Sequence, residues 1–346
     1  MKSKVHIIGG GLAGMAAAAA LRADGFADDI TIYEASFHLG GRGGSNFIPS
    51  FTRYVDDNHM MIRANKNVLK FLDIIGAKDR ICAAGFKLSF KEKSFCKLWE
   101  LAVESVLNTS AKTAANGLFF RTLLKALKAP FPLMVKESFD DAFISPFLGF
   151  AKRHRISVKY GMKCDGFIDD EELSFCGKKV NLKAGDKVIF ALPYFAMKRL
   201  FPDLPVLSYN TISNIHFLLS NPQKAPICCG VVGGVGHWYK VRGDVMSVTI
   251  SNCQKVDAEI AQKVWNEAKG VLSIKGSYLK TAVINQKRAT ILQTPENLAA
   301  RDKALQMLEA NGIIHAGDWT VKSLPCTLEA TALSGFKAAA KVSLIA

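Results

Sequence analysis

The eight cysteines include no C-x-x-C pair, and no group of histidines accompanies them. A zinc site of ordinary ligand spacing is therefore not expected. Scattered thiols of this kind mostly behave as small core hydrophobes, with redox chemistry left open only at the vicinal Cys228–Cys229. No stretch reaches the roughly 18 uninterrupted apolar residues of a spanning helix. The apolar run Val5–Ala20 is glycine-rich and leads into a charged, strand-like segment, unlike a secretory leader. A cytoplasmic location is the resulting expectation. Glycine (27) and proline (11) follow no fixed period, which excludes collagen-like or low-complexity material. Acid is the charge in short supply: 30 Asp and Glu stand against 45 Lys and Arg, a net charge of +15. That excess suits a polyanionic partner, either nucleic acid or an anionic membrane surface. No nucleic-acid recognition motif accompanies it, so a nucleic-acid partner is not expected. With 49% hydrophobic residues the chain is too apolar for disorder, and its 346 residues suffice for about two domains.

The amino terminus carries the most specific signal. Lys4–Ile8 reads as a buried parallel strand, Gly9-Gly10-Gly11-Leu12-Ala13-Gly14 follows at once, and Met15–Ala23 opens an Ala-rich helix. A second strand, Asp29–Tyr33, ends at Glu34. Strand, G-x-G-x-x-G, helix, strand, acid is the dinucleotide-binding order. Gly9 permits the turn, Gly11 lets backbone approach a pyrophosphate, and Gly14 lets helix and strand pack closely. The helix start at Leu12 and Ala13 offers unpaired N–H groups to phosphate. Glu34 can accept from both ribose hydroxyls of an adenosine and repels a 2′-phosphate. These residues leave NAD and FAD both open.

Just past the acid, Phe37-His38-Leu39-Gly40-Gly41-Arg42-Gly43-Gly44 sets an arginine in a glycine loop. The stretch Glu34, Ala35 to Leu39, Gly40-Gly41-Arg42 resembles the E-x-x-x-x-x-G-G-R motif of the two-dinucleotide-binding flavoproteins, which include amine oxidases and carotenoid-type desaturases. At the other end, Ile313–Asp318 is a short apolar strand closing on Gly317-Asp318, followed by a small-residue helix over Thr327–Ala340. This resembles the closing motif of the same superfamily. The resemblance implies FAD, with Ala35, Gly41 and Arg42 near it, Gly317-Asp318 on its ribityl or pyrophosphate part, and the Thr327 and Leu328 amides toward the flavin pyrimidine. The stretch Gly230–Gly236 lacks the spacing of a second fingerprint, since Tyr239 stands where a glycine is needed. It reads as strand–turn–strand. Electrons for the cofactor are then expected from the substrate or a separate donor.

Two further blocks narrow the family. Tyr54–Ile75, with Asp56-Asp57-Asn58-His59, is similar to the D-N-G-N-H block of the squalene-associated FAD-dependent desaturases, whose activity is hydroxysqualene dehydroxylation. The family's glycine is missing here, which leaves the loop register open by one residue. Lys287-Arg288-Ala289-Thr290, Thr294-Pro295, Gly317-Asp318-Trp319-Thr320 and Leu324-Pro325-x-Thr327-x-Glu329 resemble the rest of that family's pattern. The central segments read as shorter and more divergent. The resemblance implies reductive dehydroxylation of a long isoprenoid, hydroxysqualene to squalene, for hopanoid synthesis. It also places Asp57, Asn58 and His59 beside the flavin as candidates to assist hydroxide departure, with Lys287 a weaker one. His59 alternatively just bonds backbone and packs. An amine oxidase or desaturase that oxidises its substrate, and a non-catalytic flavin-binding lipid carrier, are the competing readings. The only evident aromatic for a flavin cage is Trp319.

The fold class expected is α/β: a Rossmann-like FAD-binding domain built from 1–75, 151–199 and 276–346, interleaved with a mixed α+β substrate domain of 76–150 and 200–275. Thr211–Leu219, Val245–Ile250 and Tyr278–Ile284 carry the β-branched and aromatic bias of sheet. Finally, Phe120, Leu123, Leu124 and Leu127 recur at helical spacing, with Arg121, Lys125 and Lys128 toward the opposite side. Such a helix either lies on an anionic bilayer as a peripheral contact or covers the substrate domain's core. The sequence leaves the oligomeric state open.

Overall fold

The structure, a computed structural model, describes residues 3–345 other than 57–58, 169–170 and 254–255, and describes 224–226 and 345 through their backbone alone. Lys4–Ile8 lies at the centre of a five-stranded parallel sheet, with Asp29–Tyr33 on one side and Lys187–Phe190 on the other. Ile156–Lys159 and Ile314–His315 form the two edges. Helices cover parallel sheets on both faces, which is why these strands read as nearly continuous apolar runs. Val5, Ile7, Ile32 and Ile189 are fully buried. The chain lays its first three strands outward to one side, then crosses to the other. The order therefore reverses between Lys4–Ile8 and Lys187–Phe190, and a ligand crevice opens beyond the carboxyl ends of strands at such a reversal.

The helix Leu12–Ala23 is rich in alanine, the strongest helix former, and its residues Leu12 to Leu21 are all buried. It is pressed between the sheet and the last helix, Leu328–Ile345. Their approach is close: a Cβ on Gly335 would stand 2.4 Å from the Ala13 carbonyl oxygen and 2.8 Å from the Ala16 Cβ. The small face of the carboxy-terminal helix thus brings the chain's two ends together.

A second sheet is built on one long strand, Tyr209–Val232. It pairs antiparallel with Trp238–Ser251 and Tyr278–Ile291, and parallel with Gly85–Phe90. Ile215, Phe217 and Leu219 point beneath the helix Ala258–Leu272, packing with Val264, Trp265 and Ala268. Side chains alternate along a strand, so Asn214, His216 and Leu218 turn to the opposite face. There Leu218 meets Ile48, Phe51 and Val55.

Pairing and packing correct the expected boundaries. Tyr278–Ile291 belongs to the second sheet, so the nucleotide-binding part resumes with the helix Pro295–Ala310 rather than at 276. Phe139, Phe143, Phe147 and Phe150 pack in the same core as Val5 and Ile30, so the helix Ser145–Arg153 and the turn before it join the first domain ahead of residue 151. The strand expected over Thr211–Leu219 continues to Val232, and the turn at 233–237 returns it as Trp238–Ser251, as strand–turn–strand. No described helix is long and apolar enough to cross a membrane.

The close helix contact sets a first expectation. Gly335→Ala forces a methyl against backbone and lowers stability by about 1–3 kcal/mol, read as a lower urea midpoint at unchanged slope. Gly270→Ala is the opposite case: nothing lies within 4 Å of its Cβ position in the helix Ala258–Leu272, and the change stabilises by about 0.5–1 kcal/mol. Three histidines, His216 and His315 buried and His237 half-buried, set a second. Burial pushes His216, His237 and His315 down to about 4, with the charges of Lys240 and Lys341 adding to the effect at His216 and His315. The unfolded chain takes up protons below about pH 6.5, whereas the folded chain resists until about 4. Stability therefore falls as pH falls through that window. In urea titrations across it, His315→Leu removes one proton's share of the slope, about 1.4 kcal/mol per pH unit.

Candidate functional site

The glycine turn sits at the carboxyl end of Lys4–Ile8, where the strand order reverses. Gly9 takes φ +109°, and a Cβ on Gly14 would meet the Gly9 carbonyl oxygen at 2.0 Å, so the protein's own packing demands glycine at both. Gly11 differs. Its φ of −73° and ψ of 179° suit any residue, and a Cβ there would find only the Gly40 carbonyl oxygen, at 3.9 Å. The fold leaves that cradle open, as a phosphate-bearing ligand against backbone requires. The first amides of the helix at Leu12 and Ala13 have no acceptor within it.

Glu34 ends its strand beside this turn. Its carboxylate accepts from Gly10 N at 2.7 Å, Ser36 N at 2.8 Å and Ser36 Oγ at 2.9 Å. These bonds fix its orientation and leave acceptor capacity over. Ala35 beside it is exposed. The loop with Gly41 and Arg42 folds back on the turn, Gly40 N donating to Gly10 O at 3.0 Å.

Arg42 joins the two ends of the chain. Its Nη2 pairs with Asp318 Oδ1 at 2.7 Å, and its Nη1 donates to the Ala289 carbonyl. Gly317, at φ +147°, donates its N–H to Ser334 Oγ at 2.9 Å and turns the buried Asp318 toward that arginine. The K-R-A-T and G-G-R blocks therefore meet through Ala289. Trp319 is buried, donates to the Leu192 carbonyl at 2.9 Å and packs on Tyr194, so it is structural rather than part of an open aromatic cage. Thr327 caps the last helix, its Oγ1 accepting from Ala330 N at 3.4 Å. Glu329 reaches across to the start of another helix, Lys66–Ile74, and accepts from Asn67 N, Val68 N and Asn67 Nδ2. Two helix amino termini are thereby held together.

Beneath Leu328 lies a small cavity of about 10 Å³, lined by Asp56, His59, Met61, Val135, Phe139 and Lys240. His59 bonds the Arg42 carbonyl through Nε2 at 3.2 Å, and its ring stands 5.8 Å from that of Phe139. Asp57 and Asn58 lie outside the described residues. Lys287 is exposed on its strand. Contacts thus link the glycine turn to Glu34 and to the Arg42 loop, Arg42 to Asp318 and to His59, and His59 to the cavity beneath Leu328.

The structure also gives a place to Asp56, which the sequence marked only as part of the Asp56–His59 block, and adds Lys240, Arg242 and His216, which no local motif marks. Asp56 is buried and pairs with Arg242 at 2.9 Å. Burial opposes its charge, but Arg242, Phe139 N and Ser45 Oγ outweigh burial and hold it below the usual carboxylate range. Lys240 is buried at the cavity wall. His216 sits close enough to feel the charges of both Lys240 and Asp56, and its Nδ1 bonds Ser247 Oγ at 2.8 Å. Among the described residues, His216 Nε2 and Arg242 Nη1 are buried without a hydrogen-bond partner. Such atoms are costly unless something polar meets them. The sequence signal for these residues was only polar side chains recurring at every second position, Asn214 and His216 on one strand and Lys240 and Arg242 on the next, in strands otherwise rich in β-branched residues.

Comparison with known proteins agrees with this geometry. Residues 7–74 match the NAD(P)-binding Rossmann-like domain. Cyclohexylamine oxidase from Brevibacterium oxydans IH-35A shares the fold with a TM-score of 0.74 at 13% identity, covering 100% of this chain and 99% of that one. The PF1083 protein from Pyrococcus furiosus does so with a TM-score of 0.72 at 14% identity, over 99% and 98%. The hydroxysqualene dehydroxylase of Sinorhizobium fredii is 25% identical over 98% of both chains. That of Zymomonas mobilis is 30% identical over 97% of this chain and 98% of its own. The latter alignment runs to 410 positions, more than the chain's 346 residues, and so carries gaps in this chain. The open cradle at Gly11, the Arg42–Asp318 closure and this likeness along nearly the whole length lead to one assignment: the chain is an enzyme with the fold of these oxidases and belongs to the hydroxysqualene dehydroxylase family.

Proposed function

We propose that the protein binds FAD in the crevice between the two fingerprints and removes the hydroxyl of hydroxysqualene reductively, giving squalene. The observation that carries this reading is the Arg42–Asp318 pair, which draws both fingerprints, the amino terminus of the last helix and the His59–Lys240 cavity onto one side of the parallel sheet. The substrate comes from the family, whose relatives bear that activity in their names.

The residues suit the cofactor. The uncrowded Gly11 and the helix start at Leu12 and Ala13 accept a pyrophosphate, Glu34 has acceptor capacity for ribose hydroxyls, and Asp318 with Arg42 is positioned for the ribityl–pyrophosphate part. The amides of Thr327 and Leu328 open a helix whose positive end favours the charge that grows on a reduced ring. When bound and reduced, the flavin supplies hydride.

The chain's own groups do the rest. The allylic C–O bond breaks, hydroxide leaves with a proton as water, and a C–H bond forms at the same carbon. Leaving hydroxide needs a proton or a positive charge nearby. Lys240 and His59 face the cavity together and serve that need, with Arg242 and His216 behind them on the same sheet face. Met61, Val135, Phe139 and Leu328 make the rest of its wall apolar, as protection of a cationic carbon from water requires. The buried, engaged Trp319 gives the amine-oxidising reading no support.

Two experiments check this. Purified protein is expected to be yellow. Gly11→Val is expected to lose the flavin absorbance while keeping wild-type thermal unfolding in the cofactor-free state, because the added Cβ meets only the Gly40 carbonyl oxygen, at 3.9 Å. A colourless wild type defeats the cofactor assignment. Anaerobically reduced enzyme is expected to reoxidise on addition of hydroxysqualene and to yield squalene by mass. Lys240→Met is expected to slow that single turnover by about 10²–10⁴-fold, the range for loss of an acid or charge-stabilising group. Reoxidation by amines alone overturns the substrate.

A further inference from the structure

The helix Asn116–Ala126 turns an unexpected side inward. Leu118 and Phe119 are buried, packing with Val103 and Leu107 of the helix Phe95–Leu107. Of the two readings its periodicity allows, the apolar stripe takes the outward one. Phe120, Leu124 and Leu127 are 51, 65 and 62% exposed, and Phe131 just beyond is 63% exposed. The apolar surface continues onto the neighbouring helix. Trp99 touches the rings of Phe119 and Phe120 at 5.0 and 5.4 Å, and Phe95, one turn earlier, is 78% exposed. Large apolar side chains left side by side in water mark a contact surface.

Charge identifies the occupant. From residue 105 to residue 136 the chain holds no Asp or Glu, while Lys112, Arg121, Lys125, Lys128 and Lys136 all fall within it. Among the described residues, no ion pair engages Arg121, Lys125 or Lys128, all three of which are exposed. Arg63 adds a cation over the Phe131 ring at 5.7 Å. Exposed Leu and Phe interleaved with long basic side chains fit the boundary between acyl chains and anionic headgroups. There the apolar tips enter and the ammonium and guanidinium groups stay at the phosphates.

We propose that this face, Phe95, Phe120, Leu124, Leu127 and Phe131 with Arg121, Lys125 and Lys128, docks the protein on an anionic phospholipid bilayer. A partner protein of similar hydrophobicity needs no acid-free stretch of this length, whereas an anionic bilayer rewards it. The geometry is independent of the reading of the active site, although a long isoprenoid held in the bilayer would give the docking a use.

The test is co-sedimentation of the holoenzyme with vesicles of phosphatidylcholine, alone or in equal parts with phosphatidylglycerol. Binding is expected to the mixed vesicles, weaker binding to phosphatidylcholine, and release by salt. Arg121→Gln with Lys125→Gln and Lys128→Gln is expected to lower partitioning at low salt about a hundredfold. Leu124→Ser with Leu127→Ser is expected to abolish it at every salt concentration. Both variants are expected to keep wild-type thermal unfolding, since all five side chains face solvent. Wild type that fails to bind mixed vesicles overturns the proposal, as does unaltered binding by either variant. A dimer in sedimentation equilibrium that the double leucine variant dissociates also overturns it, because a second copy then covers the face. The readout needs no turnover, so failure of the dehydroxylation reading leaves this test standing.

Discussion

Where Gly335 of the last helix crosses the first there is no room for a side chain. Gly335 lies against the carbonyl of Ala13 and the methyl of Ala16, and that contact carries Asp318 and Leu328, far along the chain, to the glycine turn near its beginning. Arg42 then needs only to cross a short gap to reach Asp318. Glu329 ties the same region to the helix Lys66–Ile74 by occupying its unpaired amides. Steric closeness sets the frame, and charge-assisted hydrogen bonds hold it in register. The nucleotide crevice is therefore a product of chain closure, since neither fingerprint has a complete site alone.

The cavity next to this closure has a consistent electrostatic plan. Leu328, at the amino terminus of the last helix, lines its near side, and the Glu329 carboxylate beside it is bonded to the amides that open the helix Lys66–Ile74. Its far side offers Lys240 and Arg242 from the second sheet, with Asp56 the buried counter-charge to Arg242. His216 stays neutral there because burial and the nearby Lys240 both disfavour its cation.

The outward helix shows what sequence patterning leaves open. Phe120, Leu123, Leu124 and Leu127 satisfy the spacing of a core-facing stripe, yet the small core beneath takes Leu118 and Phe119. Periodicity reports that a helix has an apolar face. Which face meets protein depends on neighbours such as Val103 and Leu107, which come from another helix. The domain boundaries misread at 151 and 276 have the same origin. Phe147 joins a core, and Tyr278–Ile291 joins a sheet, through partners distant in the chain.

What was legible in the residues themselves was local and repetitive: the strand Lys4–Ile8, the Gly9–Gly14 turn, the alanine helix, the acid at Glu34, and the Gly317–Asp318 turn. Each is imposed by the geometry of a few consecutive residues, so each can be read without a partner. Resemblance also marked the Asp56–His59 block, and one of the two readings of His59, that it bonds backbone and packs, is the contact seen with the Arg42 carbonyl and Phe139. Lys240, Arg242, His216 and Asp56 gain their meaning from cross-strand register and burial. The opposing directions of Leu118 and Leu124 arise the same way. Those were decided only in three dimensions, because desolvation and ion pairing depend on what is near in space, and a linear order carries no record of that.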